Sequence, residues 1–293
     1  MVFYSIKKNK MSANNISSNE NLFYQLHHNS EILVLPNIWN PLGALLLQDL
    51  GFKAVATASA SIACSNGYQD GEKYPFNELV LLLKRITQSV SIPVTADVER
   101  GYAKNNIELK ENIKRLVDTG ILGINFEDSK HEEQKLVAKE EQAERIHLIK
   151  NTASEMGSSL FINARTDVFL KQNNLSKEEK LNEAIQRGKL YKSAGADGLY
   201  PIFLKEQQSI KSIIDEVQLP INILMLPGIP GFAALKEIGV ARVSLGPGFL
   251  KYAINSMKDV ANKLLNYQGM EEITNNPATS DYLNKLISNP QSS

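Results

Sequence analysis

Eight times along its length this chain passes from a short apolar run into a longer amphipathic stretch. The runs at 31–36, 53–57, 92–97, 122–126, 160–165, 197–201, 221–225 and 242–245 predict strands. Segments 77–90, 107–119, 139–156, 176–194, 207–216, 231–238 and 248–265 carry helical spacing. The helix of the first unit opens at Asn40-Pro41, with Asn as its cap and Pro in the first helical position. Ser176 with Glu179 three residues on reads as a capping box. Gly51, Gly120, Gly195 and Gly239 sit where helices give way to strands, the position of a left-handed helix ending. Strand–helix alternation selects a parallel sheet. Eight units over roughly 250 residues predict an α/β fold of the (β/α)8 barrel type. A doubly wound open sheet is the competing arrangement, but no G-x-G-x-x-G fingerprint follows the first strand. A last helical segment at 280–287 follows the eighth unit.

No linker rich in Pro, Gly or Ser divides the sequence, so residues 22–293 are expected to form one barrel domain that includes the C-terminal helices. Residues 1–21, rich in Asn, Ser and Lys, read as a flexible tail without an apolar signal core. Lys plus Arg and Asp plus Glu both number 32, so the net charge is zero. That argues against nucleic-acid or membrane-surface binding driven by bulk charge. The apolar runs are far shorter than the roughly 20 residues a membrane span needs. The single cysteine, Cys64, excludes an intramolecular disulfide and fits a reducing cytoplasm; its small apolar surroundings predict a packed core residue. His27 and His28 have no metal-ligand partners in sequence and read as a surface pair.

Chemistry concentrates at three consecutive strand ends. Pro93-Val94-Thr95-Ala96-Asp97-Val98-Glu99 closes an apolar run with two carboxylates two residues apart, which in an extended segment share a face. The next strand ends in Glu127-Asp128, and the one after in Arg165-Thr166-Asp167. The carboxyl ends of barrel strands are where ligands bind. Acid, acid and arginine at one rim point to a hard divalent cation beside an anionic substrate. Asp128, next to Glu127, is expected to face the opposite way. Arg165 could alternatively pair with Asp167 as a structural bridge.

These segments resemble the isocitrate lyase/phosphoenolpyruvate mutase superfamily. The resemblance spans about residues 22–265 and rests on L-P-N-I-W-N-P (35–41), A-T-A-S-A-S-I-A (56–63), G-Y-Q-D-G-E (67–72), V-T-A-D-V-E-R-G-Y (94–102), G-I-N-F-E-D-S (123–129) and N-A-R-T-D-V-F-L (163–170). It implies a barrel, Mg2+ (with Mn2+ as an admissible substitute), and a small oxo or hydroxy carboxylic acid cleaved through a metal-bound pyruvate-type enolate. By the same resemblance Asp97 matches the direct metal ligand, and Glu99 and Glu127 match acids that hold its water shell. The family more often carries Asp where this chain has Glu99. Thr57, Ser59 and Ala60 match the loop that grips the substrate carboxylate or phosphonate, Arg165 the arginine that pairs with substrate, and Asp70 an aspartate near the reacting group. Many relatives exchange a terminal helix within a homodimer or homotetramer, and the final helices here could do the same.

One departure bears on the reaction. Lyases of the family carry a cysteine on a mobile loop after the fourth strand, and segment 127–136 here is shorter and has none. That departure speaks against the family's usual cysteine-assisted lyase mechanism; within the class the resemblance implies, lyase or decarboxylase chemistry at a C–C bond is still the first expectation. C–P bond chemistry of the mutase or phosphonopyruvate hydrolase type is one alternative, and a non-catalytic barrel that binds oxo acids is another.

Overall fold

The computed structural model describes residues 13–130, 133, 135–171 and 174–288, with side chains from Ser18 onward. The strands are β1 (Leu33–Leu35), β2 (Asn37–Ile38), β3 (Val55–Thr57), β4 (Val94–Asp97), β5 (Gly123–Glu127), β6 (Ser129–Lys130), β7 (Lys135–Leu136), β8 (Phe161–Thr166), β9 (Gly198–Pro201), β10 (Asn222–Leu224) and β11 (Arg242–Ser244). The helices are α1 (Ala13–Leu26), α2 (Pro41–Asp49), α3 (Ser59–Ser65), α4 (Phe76–Ser89), α5 (Asn106–Val117), α6 (Lys139–Glu155), α7 (Val168–Lys171), α8 (Lys177–Ser193), α9 (Gln207–Val217), α10 (Phe232–Glu237), α11 (Gly248–Leu264), α12 (Met270–Thr274) and α13 (Ser280–Ser288).

Local signals in the sequence set these boundaries. The Asn40 side chain accepts the Gly43 N–H at 2.8 Å to start α2, and Ser176 and Glu179 close their reciprocal box at the start of α8. The junction glycines Gly51, Gly120, Gly195 and Gly239 take φ of 86, 86, 104 and 90°, conformations that would strain any other residue.

The strands pair in parallel in two ladders, β2-β3-β4-β5-β8-β9 and β1-β11-β10. A parallel bridge between Leu199 and Ile221 joins them on one side. On the other side β1 and β2 are one strand interrupted at Pro36, which lacks the N–H a ladder needs. β1 pairs with β11 and β2 with β3, so eight parallel strands come round into a barrel, with the β6–β7 hairpin outside it. Asn37 staples that seam. Its Nδ2 donates to the Thr57 carbonyl at 2.8 Å, and its Oδ1 accepts the N–H groups of Leu245 and Gly246 at 2.8 and 2.9 Å.

Side chains alternate across each strand. Ile124, Ile162, Leu199, Ile223 and Val243 point outward into the main apolar core beneath the helices. Thr95, Gly123, Asn125, Phe161, Asn163, Tyr200, Asn222 and Arg242 occupy the opposite, inward positions. The barrel floor is plugged by α1. Phe23 packs where a Cβ on Gly123 would stand only 2.8 Å from its ring, and it meets Phe161 edge-on with centroids 5.5 Å apart.

Three sequence expectations are corrected here. The stretch 1–21 is not all tail: α1 begins at Ala13, Asn19 donates to the Ser91 carbonyl at 3.0 Å, and Glu20 accepts from Ser158 and Ser159. Residues 1–12 lie outside the described residues. His27 is not a surface residue. It is 3% exposed and stacks on Phe161 at 4.1 Å, and burial, with the Arg242 charge above it, lowers its pKa to about 3. Cys64 is exposed on α3 rather than packed in the core, because the buried face of that short helix is taken by Ser61, Ile62 and Ala63.

Candidate active site at the barrel mouth

Asp97 ends β4, level with Asn125 on β5. Its N–H donates to the Thr57 hydroxyl at 3.1 Å, and its Oδ2 accepts from Ser59 Oγ at 3.3 Å. Thr57 is completely buried, so it orients Asp97 rather than facing open space. Ser59 and Ala60 form the first turn of α3 beside it. Burial pushes the Asp97 carboxyl up to about 6; Arg165 opposes this, and the charges of Glu127 and Asp70 reinforce it.

Glu99 is placed differently from the sequence expectation. The strand stops at Asp97, and Glu99 lies in a turn with φ of 50°, so the two acids do not share a strand face. Its carboxylate accepts the Glu72 N–H at 2.8 Å and the Tyr102 hydroxyl at 3.1 Å. Glu72 reciprocates: its Oε1 accepts the N–H groups of Arg100 and Tyr102 at 3.1 and 2.6 Å. The clasp ties the loop that carries exposed Asp70 to the loop after β4. Burial raises Glu99 to about 8, with the Asp70 and Glu127 charges adding to the effect.

Glu127 and Arg165 stand side by side at the ends of β5 and β8 and pair at 2.7 Å. Arg165 also grips Asp167 through two N–H groups, at 2.6 and 3.0 Å, and Ser129 donates to Asp167 as well. For Arg165 the structural bridge to Asp167 offered by the sequence is thus present, with Glu127 as a second partner. Three of its five N–H groups make these bonds, leaving two directed elsewhere. Asp128 faces away from the mouth, as expected. It is fully buried, accepts from Arg187 at 3.0 Å, Tyr191 at 2.8 Å and the Asp167 N–H at 2.9 Å, and so braces the strand end from behind.

The segment after β5 is the β6–β7 hairpin, with Ser129 opposite Leu136 and Lys130 opposite Lys135. His131 lies outside the described residues. Its strands are two residues each, too short for a periodic signal in sequence.

The donor set suits a hard cation. Asp97 is partly exposed, and its charge is disfavoured by burial and by like charges, a condition that a divalent ion relieves. Among the described residues no three Asp, Glu, His or Cys side chains stand close enough to hold one ion directly. One direct carboxylate with further acids set back behind water is an arrangement Mg2+ accepts, because it gives up its waters reluctantly.

Sequence reasoning missed the polar interior under this site. Asn125 Oδ1 accepts from Asn163 at 2.8 Å and from Arg242 Nη2 at 3.2 Å. Arg242 is 1% exposed, and burial lowers its pKa to about 10. Tyr200, level with Arg165 on β9, is raised to about 12 by burial. The signal was available: each of these residues holds an inward position in the two-residue alternation of its strand.

The family model described as Phosphoenolpyruvate phosphomutase matches residues 23–265. An uncharacterised protein of Mycobacterium tuberculosis (strain H37Rv) is 32% identical over 224 residues, covering 76% of this chain and 81% of that protein. The 2-methylisocitrate lyase of Escherichia coli K12 is 27% identical over 241 residues, 78% of each chain. A crystal structure from Burkholderia cenocepacia J2315, provisionally assigned as a phosphonomutase, superposes with a TM-score of 0.80 at 34% identity. The match covers 84% of this chain and all of that one.

Proposed function

Because the chain belongs to the phosphoenolpyruvate phosphomutase family, within the isocitrate lyase/phosphoenolpyruvate mutase superfamily, we propose that it is a Mg2+-dependent lyase or decarboxylase acting on a small 2-oxo or 2-hydroxy carboxylic acid. The observation that carries this reading is the convergence of Asp97, Glu127 and Arg165 at three neighbouring strand ends. Asp97 would hold the ion directly, with Glu127 and Glu99 ordering its waters. The bound ion would supply Lewis-acid stabilisation of the charge that develops on the substrate's keto oxygen.

The chain's own groups do the rest. Ser59 and the first N–H groups of α3 hold the substrate carboxylate, and the two remaining N–H groups of Arg165 grip it from the other side. Thr57 keeps Asp97 aimed. Asp70, in the loop that the Glu72–Glu99 clasp ties to the loop after β4, would handle the proton at the reacting carbon. In a 2-oxo acid, breaking the bond from the third carbon to the group it releases, such as CO2, leaves the electron pair as pyruvate-type enolate charge, which the preset dipoles and cations of the rim would lower in energy. The exposed apolar residues of the C-terminal helices, among them Tyr252, Leu265, Tyr267 and Met270, support assembly as a homodimer or homotetramer.

A second reading, cleavage or migration at a C–P bond, draws support from the 34% identity to the Burkholderia structure. Pyruvate release is measured with oxaloacetate, 2-methylisocitrate, 2,3-dimethylmalate and phosphonopyruvate, each with and without Mg2+. Release from a carbon acid that disappears in Asp97→Ala supports the lyase reading. Release from phosphonopyruvate alone transfers the assignment to C–P chemistry. Binding of oxalate without turnover of any of the four favours the non-catalytic alternative.

A further inference from the structure

Arg242 is a buried charge without a counter-ion. It holds an inward position on β11, level with Asn222 on β10, and is 1% exposed. Among the described residues it makes one hydrogen bond, from Nη2 to Asn125 Oδ1 at 3.2 Å, and its Nε and Nη1 are buried without a partner. Asn222 beside it brings no relief, since both polar atoms of its amide are unpartnered too. Arg165 and Arg187, by contrast, each pair with two carboxylates. The groups whose charge reaches Arg242 are Asp97 and Tyr200, and burial keeps Tyr200 a neutral phenol at neutral pH. Burial lowers Arg242 itself only to about 10, so its charge persists there.

An unpaired buried charge costs stability. The guanidinium of this one reaches Asn125, which lies level with Asp97 and one inward step below Glu127, about 7 Å along the strand. The charge therefore stands inside the barrel, under the rim where the oxo acid is placed. Cleavage of a C–C or a C–P bond at the third carbon has one consequence in common. The electron pair of the broken bond moves toward the keto oxygen, which gains a negative charge. A fixed cation beneath that oxygen, not already neutralised by a carboxylate, favours the charged enolate over the neutral ketone and needs no reorganisation to do so. We propose that Arg242 is the interior counter-charge of the enolate, touching no substrate atom and discriminating by charge alone. The inference rests on the oxo-acid reading given above and holds for either bond cleaved.

Oxalate and oxamate have nearly the same shape and differ by one negative charge, so the ratio of their affinities reads this discrimination. The test is calorimetric titration of both ligands on the full chain with saturating Mg2+. Arg242→Met should lower the oxalate-to-oxamate ratio by about tenfold, the effect of one charge at about 7 Å in a medium between protein and water. Arg242→Gln, which keeps an N–H donor without the charge, should lower it likewise. Arg242→Lys should hold the ratio within about threefold of the parent. Without ligand, Arg242→Met should melt no lower than the parent, because an apolar side chain of similar size relieves a buried unpaired charge. A ratio unchanged in Arg242→Met and Arg242→Gln, or lowered as far in Arg242→Lys, overturns the assignment. So does an Arg242→Met protein that melts lower and weakens both ligands alike, the mark of a structural role. Failure of the parent to bind oxalate overturns the oxo-acid reading, and this assignment with it.

Discussion

At the scale of single residues, Asp97 combines two opposed properties. Its carboxyl is raised to about 6 and that of Glu99 to about 8, so the fold holds both more easily protonated than charged. A folded-state pKa above the unfolded one gives stability that is complete below the unfolded value and lost as pH rises through the folded one. The metal-free protein should therefore lose stability between about pH 4 and pH 8, and Mg2+ should restore part of it at pH 8 but not at pH 4. Thermal melts across that range, with and without the ion, check this. Asp97→Asn should melt higher than the parent at pH 8 without Mg2+ and should no longer respond to the ion, since it removes a charge that the fold disfavours. The placement of Asp97, Glu127 and Arg165 at neighbouring strand ends was legible in the sequence because each closes an apolar run. The true placement of Glu99 was not, because the strand argument assumed extended backbone one turn too far. Glu99 takes a left-handed φ instead, and its longer side chain reaches Tyr102 and Glu72.

At the scale of elements, the barrel depends on seams and braces as much as on its apolar core. Asn37, itself buried, makes three hydrogen bonds where the strand formed by β1 and β2 changes partner. Asn37→Ala leaves those backbone groups unpaired and should cost about 3 kcal/mol in urea unfolding. Asp128 is buried with Arg187 and Tyr191; Asp128→Ala leaves Arg187 with Glu183 as its remaining ion-pair partner and should cost about 3 kcal/mol. Phe23→Ala opens the floor beneath Gly123 and should cost about 3–5 kcal/mol. Strands and helices of the eight repeating units were readable because caps, glycines and apolar periodicity agree there. α1 was obscured by its Asn- and Ser-rich composition, which lowers helix propensity, and only tertiary docking of Phe23 and His27 against the floor explains it. α3 was hidden for a related reason: Ala and Ser in A-T-A-S-A-S-I-A carry no apolar stripe.

At the scale of the whole molecule, charge and shape put the candidate site at one end of the barrel. The floor is closed by aromatic packing, the interior is polar and joined in part by the Asn163–Asn125–Arg242 bonds, and the mouth gathers the charged rim. Among the described residues no helix is long and apolar enough to cross a membrane. The C-terminal helix α11 has no buried residue, and Leu265 and Tyr267 just beyond it are almost wholly exposed, an uncovered surface that self-association would bury. Light scattering should accordingly give a mass of two or four chains, and Tyr252→Lys with Leu265→Lys should reduce it to one.

The central claim is that Asp97 and its neighbours form a Mg2+-dependent oxo-acid site. Calorimetric titration of oxalate, an analogue of the enolate-bearing fragment, tests it directly. Binding should require Mg2+ in the parent protein and should vanish in Asp97→Asn while the variant remains folded. Oxalate binding that ignores the ion, or that survives in Asp97→Asn, would contradict the account.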